Sequence, residues 1–135
     1  MIHLKTPEEI EQIRSANLLV SATLAHLAAQ LKPGISTLEL DRMAETFIRD
    51  HGATPAFKGY KGFPATCCIS VNEEVVHGIP MEDELQDGDL ISIDTGVVLN
   101  GFVGDSAYTF AIGQIPEAHA QLLRVTKESL YKGIA

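Results

Sequence analysis

The sequence predicts an α+β fold in which two N-terminal helices precede an antiparallel sheet and one C-terminal helix follows it. Three observations carry that expectation. Two Ser/Thr-x-x-Glu boxes near the N-terminus each introduce apolar residues at three- and four-residue steps. An Asn-Gly pair separates two apolar-rich stretches of strand composition. A last apolar row at helical spacing follows them.

The first box is Thr6-Pro7-Glu8-Glu9, with proline at the first helical position. Ile10, Ile13, Val20, Leu24, Leu27 and Leu31 follow on one side, interrupted by Asn17, so a long amphipathic helix is expected. It should stop at Lys32-Pro33-Gly34, where proline disfavours helix before it and glycine admits a positive φ. The second box, Ser36-Thr37-Leu38-Glu39, opens a helix with Leu40, Met43, Ala44, Phe47 and Ile48 as its apolar face and Gly52 as its C-terminal cap. Residues 53–64 read as an irregular loop, because Pro55, Gly59, Gly62 and Pro64 punctuate it. The loop aromatics Phe57, Tyr60 and Phe63 either cover the edge of the core or line a pocket.

Residues 66–71 have the composition of a buried strand, and residues 74–77 of a shorter one after a turn at Asn72. Asp87-Gly88 marks a turn before a strand that reaches Leu99. Asn100-Gly101 is a two-residue hairpin signal, and residues 102–110 return antiparallel. Residues 114–116 lead into the closing helix, with Leu122, Leu123, Thr126 and Leu130 on one side.

Composition bounds the function. A chain of 135 residues with 45% hydrophobic content can bury a core, which predicts one domain over residues 1–135. A net charge of −8 and scattered lysines and arginines disfavour nucleic acid as a partner, since phosphate binding needs clustered cations. No run approaches the roughly 18 apolar residues of a membrane span, and the opening residues lack a signal-peptide pattern. A cytoplasmic location is expected. Cys67 and Cys68 are neighbours, so on a strand they point to opposite faces and remain free thiols.

The hairpin places chemistry on one face. If Leu99 opposes Phe102, then Asp94 faces Ala107 and Asp105 faces Gly96. Ile91, Ile93, Val97 and Leu99 then share a face with Phe102, Tyr108 and Phe110, while Ser92, Asp94, Gly96, Asp105, Ala107 and Thr109 share the other. Asp94 and Asp105 become diagonal neighbours, with Cα atoms roughly 7 to 8 Å apart. Shielded carboxylates so close repel each other unless a cation sits between them, and Mn, Fe, Co or Zn would suit their oxygens. Two solvated acids on an exposed sheet face are the other reading. His77, just before Gly78-Ile79-Pro80, can act on a substrate carbonyl or be satisfied by a backbone carbonyl.

The run Ser70-Val71-Asn72-Glu73-Glu74-Val75-Val76-His77-Gly78-Ile79-Pro80, then Asp94, then Gly101-Phe102-Val103-Gly104-Asp105, resembles type I methionine aminopeptidases. So do Lys5-Thr6-Pro7-Glu8-Glu9-Ile10, Lys32-Pro33-Gly34-Ile35-Ser36-Thr37 and Gly62-Phe63-Pro64-Ala65-Thr66, so that the resemblance covers essentially the whole chain. The spacing of the two aspartates is shared with prolidases and aminopeptidase P; the His-Gly-Ile-Pro run favours the methionine-specific branch. The resemblance implies the first half of a pita-bread fold around a dinuclear metal centre, and release of the N-terminal methionine of nascent polypeptides by a monomer. It makes Asp94 and Asp105 ligands of two divalent ions (Co, Mn, Fe or Zn) and His77 the catalytic residue that hydrogen-bonds substrate. Tyr60, Phe63 and Cys68 correspond to the methionine pocket. Val103 departs from the His or aromatic residue frequent in that Gly-x-x-Gly-Asp segment, without removing a ligand.

The family's remaining ligands, one histidine and two glutamates, have no counterpart in these residues. The expectation is therefore an N-terminal half that is inactive by itself and holds metal weakly or not at all. A non-catalytic peptide- or protein-binding module of pita-bread type is the alternative.

Overall fold

The computed structural model describes residues 2–135. The first capping box forms reciprocally: Thr6 Oγ1 accepts the Glu9 amide at 3.2 Å, and Glu9 Oε2 accepts the Thr6 amide at 2.8 Å. Helix α1, Pro7–Ala28, ends short of the expected Lys32-Pro33-Gly34. Its last turn tightens into three-residue bonds, Gln30 to the Leu27 carbonyl and Leu31 to that of Ala28, which use up the terminal acceptors before Pro33 is reached. The buried row is Ala16, Leu19, Val20, Thr23, Leu24 and Leu27, so Ile10, expected on that face, is instead 46% exposed. Helix α2, Thr37–Asp50, is capped by Ser36, whose hydroxyl accepts the Glu39 amide at 3.1 Å, and Gly52 follows with φ +74°.

Within the expected loop, Thr54–Pro55 pairs as a short strand β1, and Tyr60–Gly62 makes one tight helical turn. Strands β2 (Cys67–Val71), β3 (Leu90–Leu99) and β4 (Phe102–Ala111) complete the sheet. β3 is its centre. β4 pairs with β3 along its whole length, and β2 and β1 pair in succession with residues 91–95 and 97–98. The hairpin register is the expected one, Leu99 opposite Phe102, because Asn100 (φ +51°) and Gly101 (φ +83°) both take the left-handed conformation that a type I′ turn requires.

The expected strand over residues 74–77 does not form. Asn72 and His77 have φ of +53° and +59°, which extended backbone does not tolerate, and the segment instead follows the edge of β2 as irregular chain. The core lies between the helices and one face of the sheet, where Val20, Leu24, Leu27, Leu40, Ala44 and Ile48 meet Ile69, Ile91, Ile93 and Val97. Each large aliphatic side chain buried there contributes about 1.5–3 kcal/mol. Helix α3, Glu117–Ile134, forms as expected, but none of its residues is buried, and Leu122 and Leu130 remain exposed. No helix among the described residues is long and apolar enough to cross a membrane.

Candidate active site

The sheet face opposite the core gathers the polar residues. Cys68 pairs with Asp94, Asp94 with Ala107, and Gly96 with Asp105, so Cys68, Asp94 and Asp105 share that face while Cys67, Ile69, Ile91 and Ile93 point into the core. The absence of side chains at two glycines lets neighbours approach. A Cβ on Gly96 would lie 2.8 Å from the Phe57 ring, and one on Gly104 would lie 2.5–2.7 Å from the Ala16 and Asn17 backbone. Helix α1 thus lies directly beneath the residue preceding Asp105, and Asn17 Oδ1 accepts the Asp105 amide at 3.3 Å.

All six residues singled out in the sequence line one cavity of about 630 Å³. Asp94 and Asp105 lie on its sheet side with Cys68, His77 enters from the irregular segment after β2, and Tyr60 and Phe63 come from the tight turn with Phe57 and Lys61 beside them. The loop aromatics therefore line a pocket rather than merely covering the core edge. A separate cleft between β4 and α3, walled by Tyr108, Leu123 and Leu130, contains none of the six.

The electrostatics are those of crowded acids. Burial first, and then the neighbouring Asp105 carboxylate, push the Asp94 carboxyl up from 3.8 to about 6, with His77 pulling the other way. Burial and the charges of Asp94 and Asp105 push the Cys68 thiol up to about 11, which leaves it a neutral, weakly polar wall. Burial raises Cys67 to about 12 on the core side, so neither thiol is set up as a nucleophile. A divalent cation relieves the conflict between the two carboxylates, and their oxygens are the donors such ions prefer. The fit is partial: among the described residues no group of three or more His, Cys, Asp or Glu is disposed to hold an ion.

Two supporting residues lie outside the sequence-predicted set. Asn17 interrupts the apolar row of α1, yet it holds the Asp105 amide. Asp41, on α2, is 5% exposed, and its Oδ1 accepts the amides of Thr66 at 2.9 Å and Cys67 at 2.8 Å, fixing the entry of β2 one residue before Cys68. The available signal is a polar residue amid the apolar positions of an amphipathic helix.

Residues 11–135 match the sequence profile described as metallopeptidase family M24. The chain belongs to that family. The M24 match is accompanied by curated relatives along the whole chain: it is 54% identical over 134 residues to a methionine aminopeptidase of Clostridium perfringens, and 54% identical over 134 residues to methionine aminopeptidase 1 of Bacillus subtilis, covering 99% of this chain and 54% of each relative. The methionine aminopeptidase structure from Rickettsia prowazekii superposes with a TM-score of 0.97 at 36% identity, over 99% of this chain and 54% of that one. A prolidase from Pyrococcus horikoshii, 21% identical with a TM-score of 0.84, shares the fold. This M24 chain therefore has the architecture of one half of a pita-bread fold, and it spans about half the length of the curated relatives it matches.

Proposed function

We propose that residues 1–135 form one domain, the N-terminal half of a methionine aminopeptidase that removes the N-terminal methionine of nascent polypeptides in the cytoplasm. The observation that carries this reading is the convergence of Asp94, Asp105, His77, Cys68, Tyr60 and Phe63 on one cavity, in a chain 54% identical over 134 residues to a methionine aminopeptidase.

Asp94 and Asp105 would hold divalent ions of the Co, Mn, Fe or Zn type, two in the complete enzyme. The chemistry such ions supply is Lewis acidity toward water and the scissile carbonyl. His77 faces the same space and donates a hydrogen bond to the substrate carbonyl as negative charge develops on its oxygen. Tyr60, Phe63 and the neutral Cys68 wall off an apolar recess that accepts an unbranched, polarizable thioether side chain. The complete enzyme acts as a monomer, with neither nucleic acid nor membrane as a partner. Two carboxylates are a minority of a dinuclear donor set, so the 135 residues by themselves hold metal weakly and do not turn over substrate.

The test is hydrolysis of a methionyl tripeptide and its alanyl counterpart by a polypeptide in which this chain continues into a second half, loaded with Mn or Co. Release of methionine alone, lost in Asp105→Asn, is the expected result. No release by the unaltered polypeptide, or release that survives Asp105→Asn, would refute the assignment. Methionine release by the purified 135-residue chain would refute the statement that it is incomplete.

A further inference from the structure

His77 has φ +59°, a left-handed backbone that a residue with a side chain holds only where its surroundings over-determine it. No sheet ladder does so, because residues 74–81 form no strand. The restraint acts on the next residue. The Gly78 carbonyl accepts the Ile69 amide at 2.9 Å, and the Gly78 amide donates to Ser70 Oγ at 3.1 Å. The two chains are so close that a Cβ on Gly78 would overlap the Ile69 carbonyl oxygen. Beyond them, Glu74 Oε2 accepts the Val71 amide at 3.0 Å. The outer edge of β2 is thus satisfied by one backbone group and two side chains, Asp41 at Cys67 and Glu74 at Val71, while Ser70 returns a side-chain acceptor to the loop.

We propose that Ser70 is a positioning residue for His77. An ordinary ladder would pair Gly78 with a strand carbonyl and draw residues 76–78 out flat along β2. A hydroxyl acceptor in place of that carbonyl lets the chain leave β2 at Gly78 and turns His77 toward Asp94 and the cavity. The location of Ser70 suits this role, since it is 4% exposed and lies on β2 two residues beyond Cys68, on the same face as Cys68 and Asp94. Its hydroxyl accepts the amide adjacent to the histidine, and Ser70 is not among the residues that line the cavity. The functional consequence rests on the reading of His77 given above; the tether itself does not.

Two measurements separate these claims. Amide hydrogen exchange on the labelled 135-residue chain reads the tether directly. In the unaltered chain the Gly78 amide should be protected well beyond a free loop amide; in Ser70→Ala it should exchange about tenfold faster or more, while Ile91 and Ile93 keep their protection and Ser70→Thr retains that of Gly78. A freely exchanging Gly78 amide in the unaltered chain overturns the proposal without any variant, as does unchanged exchange in Ser70→Ala. In the longer metal-loaded polypeptide, Ser70→Ala should lower kcat about tenfold with KM within about twofold, and Ser70→Thr should restore it. Equal kcat in Ser70→Ala overturns the positioning role. A longer polypeptide that hydrolyses nothing overturns the assignment of function and leaves the exchange result to decide the tether.

Discussion

Asp41 offers the sharpest test of how the helices support the site. It is almost fully buried on α2, and one of its oxygens accepts both the Thr66 and the Cys67 amides, in residues that are themselves fully buried. Asp41→Ala removes the acceptor and leaves two buried N–H groups unpaired, at about 1–3 kcal/mol each. The lost charge returns part of that, since burial already holds the Asp41 carboxyl above its ordinary range. A net loss of about 2–4 kcal/mol is expected, a large share of the stability of a small domain. Asp41→Asn keeps an oxygen in place without the charge, so its loss should stay under about 1 kcal/mol near neutral pH. The sign of the pH dependence follows from the raised pKa. Stability tied to protonated Asp41 is complete below its unfolded value of 3.8 and is lost as pH rises through the higher folded value, so the Asn variant gains on the unaltered chain as pH increases. Urea midpoints followed by circular dichroism at several pH values measure all three. An Ala variant within about 0.5 kcal/mol of the unaltered chain, or an Asn variant as unstable as the Ala one, would refute the reasoning.

Without divalent ions, Asp94→Asn should stabilise the chain at pH 7 and flatten its stability between about pH 4 and 6, because Asp94 is raised from 3.8 to about 6 and its protonated form favours the fold. The displacement corresponds to about 3 kcal/mol at most and to about 1 kcal/mol once solvent screening of this partly exposed group is allowed for; thermal melts in a chelator show it, and an unaltered profile contradicts it. Gly104→Ala should cost about 2 kcal/mol or more in a urea titration, since the new methyl meets α1 backbone rather than a side chain that can move aside. Ile10→Ala should change stability by less than about 1 kcal/mol while Leu27→Ala costs about 2–5 kcal/mol, a contrast that chemical denaturation resolves directly.

The hairpin was legible because its determinants are local. Asn100-Gly101 selects the turn, the turn selects the register, and a period of two then puts Asp94 and Asp105 on one face. Both N-terminal helices were legible for the same reason, their caps lying within four residues of one another. The segment over residues 74–77 was not. Val75 and Val76 have strand composition, yet they are 88% and 65% exposed, because the left-handed backbone at His77 prevents a ladder there, and nothing local in the sequence announces that. The packing of α3 was not legible either: its apolar side faces β4 across an open cleft, and none of its residues is buried. The match of the loop aromatics to a pocket came from family resemblance; hydrophobic pattern alone left them free to cover the core edge.

What escaped periodicity altogether is a set of polar side chains that reach backbone amides beside the site residues. Asn17 on α1 takes the Asp105 amide, Asp41 on α2 takes those of Thr66 and Cys67 before Cys68, and Ser70 on β2 takes that of Gly78 after His77. In each case a side chain takes an amide that β3 does not: at Asp105 and Cys67 the strands stay paired with β3, and at Gly78 the backbone leaves regular pairing where His77 must be aimed. Two of these three acceptors come from helices packed on the opposite face of the sheet from the cavity. The aim of the cavity-lining groups is therefore set partly from the core side, and a polar-to-apolar exchange at Asn17 or Asp41 improves the amphipathic pattern of its helix while releasing a backbone amide at Asp105 or next to Cys68.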